Sequence, residues 1–189
     1  MTLLELFKHG RAGPMGHSDG GREWRDFYPY KTDKGEHNYI KYYSEWFAKY
    51  QDEEINLLEV GVERGFSIYL WKSYFTKGKV YGMDINEIFG GDFKCDSTDK
   101  KAVDEQLGDL KFDIIIDDGD HHPESQMKTY MNLKNRLNGG GLYIIEDIYG
   151  QKYSDNIYEK EVDKIKSLGF EIIDTKGQFN TSYLGVIRT

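Results

Sequence analysis

Ile55-Asn-Leu-Leu-Glu59-Val-Gly61-Val-Glu-Arg-Gly65-Phe-Ser67 decides the fold of this 189-residue chain. An apolar run over 55–62 meets two glycines and gives way, over 67–75, to apolar residues at helical spacing. That pattern reads as a buried strand turning directly into a helix. Outward from this stretch the alternation repeats. Strands are expected at 79–85, 92–95, 112–116, 141–148, 170–174 and 182–187, with helices at 99–107, 124–137 and 156–168. Strands alternating with helices predict βαβ units and a mostly parallel sheet covered on both faces. Asp113-Ile-Ile-Ile116 and Leu142-Tyr-Ile-Ile145 lack polar alternation, as strands buried on both sides should. The last two strands are joined by too few residues for a helical crossover, so they should form an antiparallel hairpin.

Upstream, 3–8 reads as a short helix within an otherwise irregular stretch ending at 36. Tyr39, Tyr42, Tyr43, Trp46, Phe47 and Tyr50 recur at helical spacing and predict an amphipathic helix docking an aromatic stripe on the sheet. The expected organisation is one structural domain: an arm and aromatic helix over 1–50, packed on a ligand-binding core over 51–189. Trp24, Phe27, Tyr28 and Tyr30 read as anchors of the arm, with a ring-stacking lid over the site as the alternative. The aromatic arm also offers surface to bury in a homo-oligomer.

Composition narrows the function classes. A net charge of −8 and no long Lys/Arg run give phosphate-backbone binding little support, so no nucleic-acid partner is expected. No apolar run approaches the length of a membrane span, and Met1-Thr-Leu-Leu-Glu5 is too charged for a secretory leader. One cysteine, Cys95, excludes an internal disulfide. The expectation is a cytoplasmic protein without a membrane partner.

The glycine turn has two candidate ligands. A dinucleotide fingerprint needs glycines where this chain has Glu63 and Phe66, and Glu63 beside a pyrophosphate would add like-charge repulsion. S-adenosylmethionine has no phosphate and carries a sulfonium cation, so an acidic turn suits it better. Asp84, nineteen residues beyond Gly65 and ending the second strand, is placed to accept from ribose hydroxyls. Leu58-Glu-Val-Gly-Val-Glu-Arg-Gly-Phe-Ser67 and Tyr81-Gly-Met-Asp84 resemble the first two motifs of class I methyltransferases. The resemblance covers 55–189 and implies a Rossmann-like sheet of order 3-2-1-4-5-7-6. It implies a cofactor site of Glu59, Gly61, Gly65, Ser67 and Asp84, with Asp96 and Ser97 near the adenine and Asp117 among the contacts.

The fourth strand ends Ile116-Asp-Asp-Gly-Asp-His-His122 and the fifth Ile145-Glu-Asp147. In the implied order these tails are neighbours, and strands lie about 4.8 Å apart, so Asp118 can approach Glu146 and Asp147. Carboxylates that close repel unless a cation lies between them, and an all-oxygen set suits Mg²⁺ or Mn²⁺ better than zinc. His121 is then the candidate general base. Asp117-Asp-Gly-Asp-His121, Gly140-Gly-Leu-Tyr-Ile-Ile-Glu-Asp147 and Thr32-Asp-Lys-Gly-Glu-His-Asn-Tyr39 are similar to the macrocin O-methyltransferase family of sugar O-methyltransferases. That resemblance implies Asp118, Glu146 and Asp147 as metal ligands and His121 as base. Lys34 and His37 are expected at the cofactor carboxylate or the substrate. Asp120 stands where the family usually has serine, and His122 is additional. The expected acceptor is a sugar hydroxyl on a small molecule or glycan. The alternatives are a catechol-type acceptor and a binding module without activity.

Overall fold

The computed structural model of the chain describes residues 1–9, 32–86, 91–148, 156–178 and 183–189. Its centre is a seven-stranded sheet in the order β3-β2-β1-β4-β5-β7-β6. The strands are β1 (Asn56–Val60), β2 (Lys79–Asp84), β3 (Phe93–Lys94), β4 (Phe112–Asp117), β5 (Leu137–Ile145), β6 (Glu171–Asp174) and β7 (Tyr183–Arg188). β1 pairs in parallel with β2 and β4, and β4 with β5, while β7 runs antiparallel between β5 and β6. The terminal hairpin and the strand order agree with the expectation from sequence.

The helices are α1 (Leu3–His9), α2 (Tyr39–Trp46), α3 (Phe66–Tyr74), α4 (Lys100–Leu107), α5 (Pro123–Leu133) and α6 (Asn156–Ser167). α4 starts where it does because Asp99 accepts from the backbone N–H groups of Lys101 and Ala102, and α5 because Pro123 presets its first turn. Each sheet face carries its own apolar cluster. One joins Leu57, Ile114, Ile116 and Ile144 to Trp71 of α3 and to Leu3, Leu6, Tyr43 and Phe47 from the N-terminal region. The other joins Leu58, Ile115, Tyr143 and Ile145 to α4, α5 and α6. Tyr43 stacks on Phe47 at 4.9 Å between ring centroids, and both meet Trp71 edge-on at 5.5 Å. A fully buried aromatic or aliphatic side chain contributes about 1.5–3 kcal/mol, so this contact is what seats α2 on the sheet.

Several boundaries differ from the sequence reading, β5 also ending at Ile145 rather than 148. The aromatic segment is α2 followed by a 3-10 turn at Ala48–Tyr50 rather than one helix. The helix expected to reach 137 stops at Leu133, and after a further 3-10 turn β5 begins at Leu137 instead of Gly141. Leu137 pairs with Phe112, but the next matched pair is Ile114 with Leu142, so Asn138-Gly-Gly-Gly141 bulges from the ladder. Asn138 fixes the bulge by donating to Asp113 Oδ1 at 2.9 Å. His17, Trp24, Phe27, Tyr28 and Tyr30 lie outside the described residues. Among the described residues no helix is long and apolar enough to cross a membrane.

Candidate active site

At the carboxyl edge of the parallel strands lies a cavity of about 620 Å³, within the usual size of small-molecule sites. Its first wall is the turn between β1 and α3. Gly61 adopts φ +85°, and a Cβ there would stand 1.9 Å from the Asp118 carbonyl oxygen, so only glycine lets the two strand ends pass. The turn is held by Asp84, whose Oδ2 accepts from Val62 N–H at 2.9 Å and Glu63 N–H at 3.4 Å. Beyond β3, Ser97 Oγ lies 2.8 Å from Thr129 Oγ1 of α5. Val62, Asp84, Asp96, Ser97, Asp117 and Thr129 all line the cavity.

A second, adjoining wall is acidic. Donor atoms of Asp118, His121 and Asp147 lie within 4.8 Å of one another, and all three residues line the cavity. His121 Nε2 stands 3.7 Å from Asp147 Oδ2. His121 and Asp147 both hold left-handed backbone, at φ +60° and +52°. Non-glycine residues in that region carry strain, which the surrounding structure must maintain.

Behind this wall the segment over 32–43 supplies a donor to each carboxylate. Lys34 Nζ donates to Asp118 Oδ2 at 2.7 Å and to both Glu146 oxygens at 2.8 and 2.9 Å, and lies 3.3 Å from Glu59 Oε1. Tyr43 donates to Glu146 Oε1 at 2.6 Å, and Tyr39 to Asp147 Oδ1 at 2.7 Å. His37 Nδ1 lies 3.1 Å from the same Asp147 oxygen. Glu59 is further held by Ser67 Oγ at 2.8 Å and Trp71 Nε1 at 3.2 Å. The segment is pinned in turn by the chain after β6: Thr175 donates to the His37 carbonyl and Asn38 to that of Thr175.

Burial sets the electrostatics. It would pull the Lys34 pKa down, but Asp118, Glu146 and Glu59 reverse that and hold the ammonium firmly charged. Burial pushes the Glu146 carboxyl well up, with Asp118 adding and Lys34 opposing. Asp147 is raised by burial against the pull of Tyr39 and His37. Asp117, almost fully buried with Oδ2 making no hydrogen bond, is pushed up to about 8. Lys34 answers Glu59, Asp118 and Glu146, while Asp84, Asp96, Asp118 and Asp147 line the cavity, so the site as built favours cations.

No protein-family model matches the chain. A solved structure of MycE methyltransferase from the mycinamycin biosynthetic pathway, in complex with Mg, SAH and mycinamycin VI, superimposes with a TM-score of 0.60. It is 27% identical and covers 69% of this chain and 39% of that one. The fold is the Rossmann-like methyltransferase fold. Among curated proteins, the 8-demethyl-8-alpha-L-rhamnosyl tetracenomycin-C 2'-O-methyltransferase of Streptomyces olivaceus is 34% identical over 129 residues, covering 60% of this chain and 34% of the relative. Demethylmacrocin O-methyltransferase of Streptomyces fradiae is 31% identical over 127 residues, covering 60% and 32%. Its curated relatives are sugar O-methyltransferases, and the chain spans about a third of their length.

Within this methyltransferase fold the expected residues divide. Gly61, Ser67, Asp84, Asp96, Ser97 and Asp117 line the cavity, and Gly65 sits at the head of α3 with φ +74°. Glu59, Lys34 and His37, also expected at the cofactor, are buried and do not line the cavity, Lys34 meeting Glu59 and His37 meeting Asp147. The expected metal set is split likewise. Asp118 and Asp147 reach the cavity with His121, whereas Glu146 is 1% exposed, with both oxygens taken by Lys34 and one by Tyr43. In this structure Glu146 lies behind Asp118 and Asp147, held by the Lys34 ammonium and the Tyr43 hydroxyl, and with Glu59 and Asp118 it forms a second group of oxygens close enough to share a cation. Tyr39 and Tyr43, read from sequence as part of a packing stripe with Tyr39 also ending the Thr32–Tyr39 resemblance, donate to the site carboxylates. The available signal was chemical: a buried phenol needs a partner, and tyrosine rather than phenylalanine recurs on that stripe.

Proposed function

We propose that the chain is an S-adenosylmethionine-dependent, divalent-metal-dependent O-methyltransferase acting on a sugar hydroxyl of a glycoside, nucleotide sugar or glycan. The observation that carries this reading is the Asp118–His121–Asp147 cluster lining the same cavity as the Gly61 turn. Similarity to sugar O-methyltransferases, and to a methyltransferase solved with Mg and SAH, supports it.

The site fits both groups. Carboxylates facing a cavity, with room for water and acceptor hydroxyls, are the donor set of Mg²⁺ or Mn²⁺. Asp118 and Asp147 would hold the ion, and the excess of carboxylates suits a sulfonium. Asp84 would take the ribose, with Asp96 and Ser97 toward the adenine. The cation would supply charge that eases loss of the acceptor's proton, and S-adenosylmethionine the methyl group. His121 Nε2 would take that proton, and Asp147 Oδ2 beside it would stabilise the imidazolium. Tyr39 and His37 hold the other Asp147 oxygen and so fix its direction. In-line displacement then depends on alignment, which the crossing of the two strand ends sets.

The test is transfer of a labelled methyl group to a panel of glycosides and nucleotide sugars. Activity is expected to vanish in excess chelator and return with Mg²⁺ or Mn²⁺, while cofactor binding persists. Full activity in chelator would remove the metal, and cofactor binding without transfer to any acceptor would leave a binding module.

A further inference from the structure

Among the described residues a second acidic cluster is filled by a cation from the chain itself. Glu59, Asp118 and Glu146 come from the ends of three adjacent strands, and their oxygens lie within 4.8 Å of one another. That donor set, buried and all oxygen, is one a divalent ion would take. Lys34 Nζ lies inside it, at 2.7 Å from Asp118, 2.8 Å from Glu146 and 3.3 Å from Glu59, on a side chain with no exposure. Glu59 Oε1 is fully buried and makes no hydrogen bond, so only the ammonium's charge answers it.

We infer that Lys34 is a positioning residue that stands in for a second metal ion, so that the site takes one divalent cation rather than two. Asp118 belongs to both clusters. Its Oδ2 is committed to the ammonium, which keeps the carboxylate shared between the cage and the cavity. An ammonium offers three N–H donors and cannot be lost to a chelator, so the cage stays filled whatever the metal supply. The consequence at Asp118 rests on the metal reading proposed above, whereas the filled cage does not.

The test counts bound Mn²⁺ by electron paramagnetic resonance on the full chain, with folding followed by circular dichroism. Lys34→Met should bind one more equivalent than the unmodified protein, and Glu59→Gln added to it should remove that equivalent. Melting of Lys34→Met should also shift upward with Mn²⁺ by more than that of the unmodified protein. An unchanged count in Lys34→Met, or an extra equivalent that survives Glu59→Gln, overturns the inference. A count of zero rising to one keeps the cage and sinks the metal reading at Asp118 and Asp147. A count of one in both proteins does the reverse. Should Lys34→Met fail to fold without metal, Mn²⁺ should restore its folding by taking the ammonium's place, and no restoration overturns the inference.

Discussion

The two walls of the cavity are built by opposite means. On the cofactor side, Asp84 holds the glycine turn through backbone N–H groups 21 and 22 residues away. On the acidic side, the bonds join side chains: Lys34 reaches Asp118 and Glu146 across 84 and 112 residues, and Tyr39 and Tyr43 reach Asp147 and Glu146 across 108 and 103. A wall made of main chain leaves a local signature of glycines and a strand-ending aspartate. A wall made of distant side chains leaves each partner looking like ordinary packing until the fold brings them together.

The sharpest probe of the acidic wall is its histidine pair. His121 belongs to the carboxylate cluster, while His122 caps α5, its carbonyl accepting from Gln126 N–H. His121→Ala should lower turnover by about 10²–10⁴, the contribution of a positioned acid–base group, and His122→Ala far less. Turnover against pH for both variants decides it. Equal losses would mean that the cluster does not select between them.

Asp117, at the junction of the walls, should make stability depend on pH. Its folded pKa of about 8 lies above the value near 4 of an unfolded aspartate. Between those values the folded state binds the extra proton. The stabilisation is therefore complete below about pH 4 and is lost as pH rises through 8. The fall should be on the order of a few kcal/mol, and Asp117→Asn should flatten it. Urea unfolding without metal or cofactor, from pH 5 to 9, measures the slope. Identical slopes in the two proteins would refute the assignment.

Tyr43→Phe removes a donor from buried Glu146 and should cost about 1.5–3 kcal/mol of stability, the scale for a hydrogen bond to a charged group. Denaturant melts would show it, and no loss would mean that Lys34 alone satisfies the carboxylate. Asp84→Ala should weaken S-adenosylmethionine binding by roughly 1–3 kcal/mol while leaving Mn²⁺ binding intact. Calorimetry with each ligand separately tests whether the walls are energetically independent.

The same contrast explains what the sequence disclosed. Gly61, Gly65 and Asp84 meet at the strand-to-helix turn as expected because their spacing is dictated within one βα unit, and the sheet order follows from the repeat of such units. The start of β5 is missed because Asn138-Gly-Gly-Gly141 has loop composition, yet stays in the ladder as a bulge. Glu146 and Asp147 are chain neighbours, so sequence offers no ground for separating them. Only the buried ammonium of Lys34 turns one into a backing group and leaves the other at the cavity. Lys34 and His37 stand out in the sequence, but the carboxylates they meet follow strands that no local pattern connects to them.

Gly61 has a mechanical consequence. Asp118 N–H bonds the Val60 carbonyl at 2.8 Å, and the Asp118 carbonyl lies where a Gly61 Cβ would be. The two strand ends therefore touch main chain to main chain, with no rotamer or hinge between the parts that would grip methyl donor and methyl acceptor. The fixture has a single datum. Substitutions at the rim can therefore alter which acceptor fits while leaving unchanged the gap that a transferred methyl group would cross.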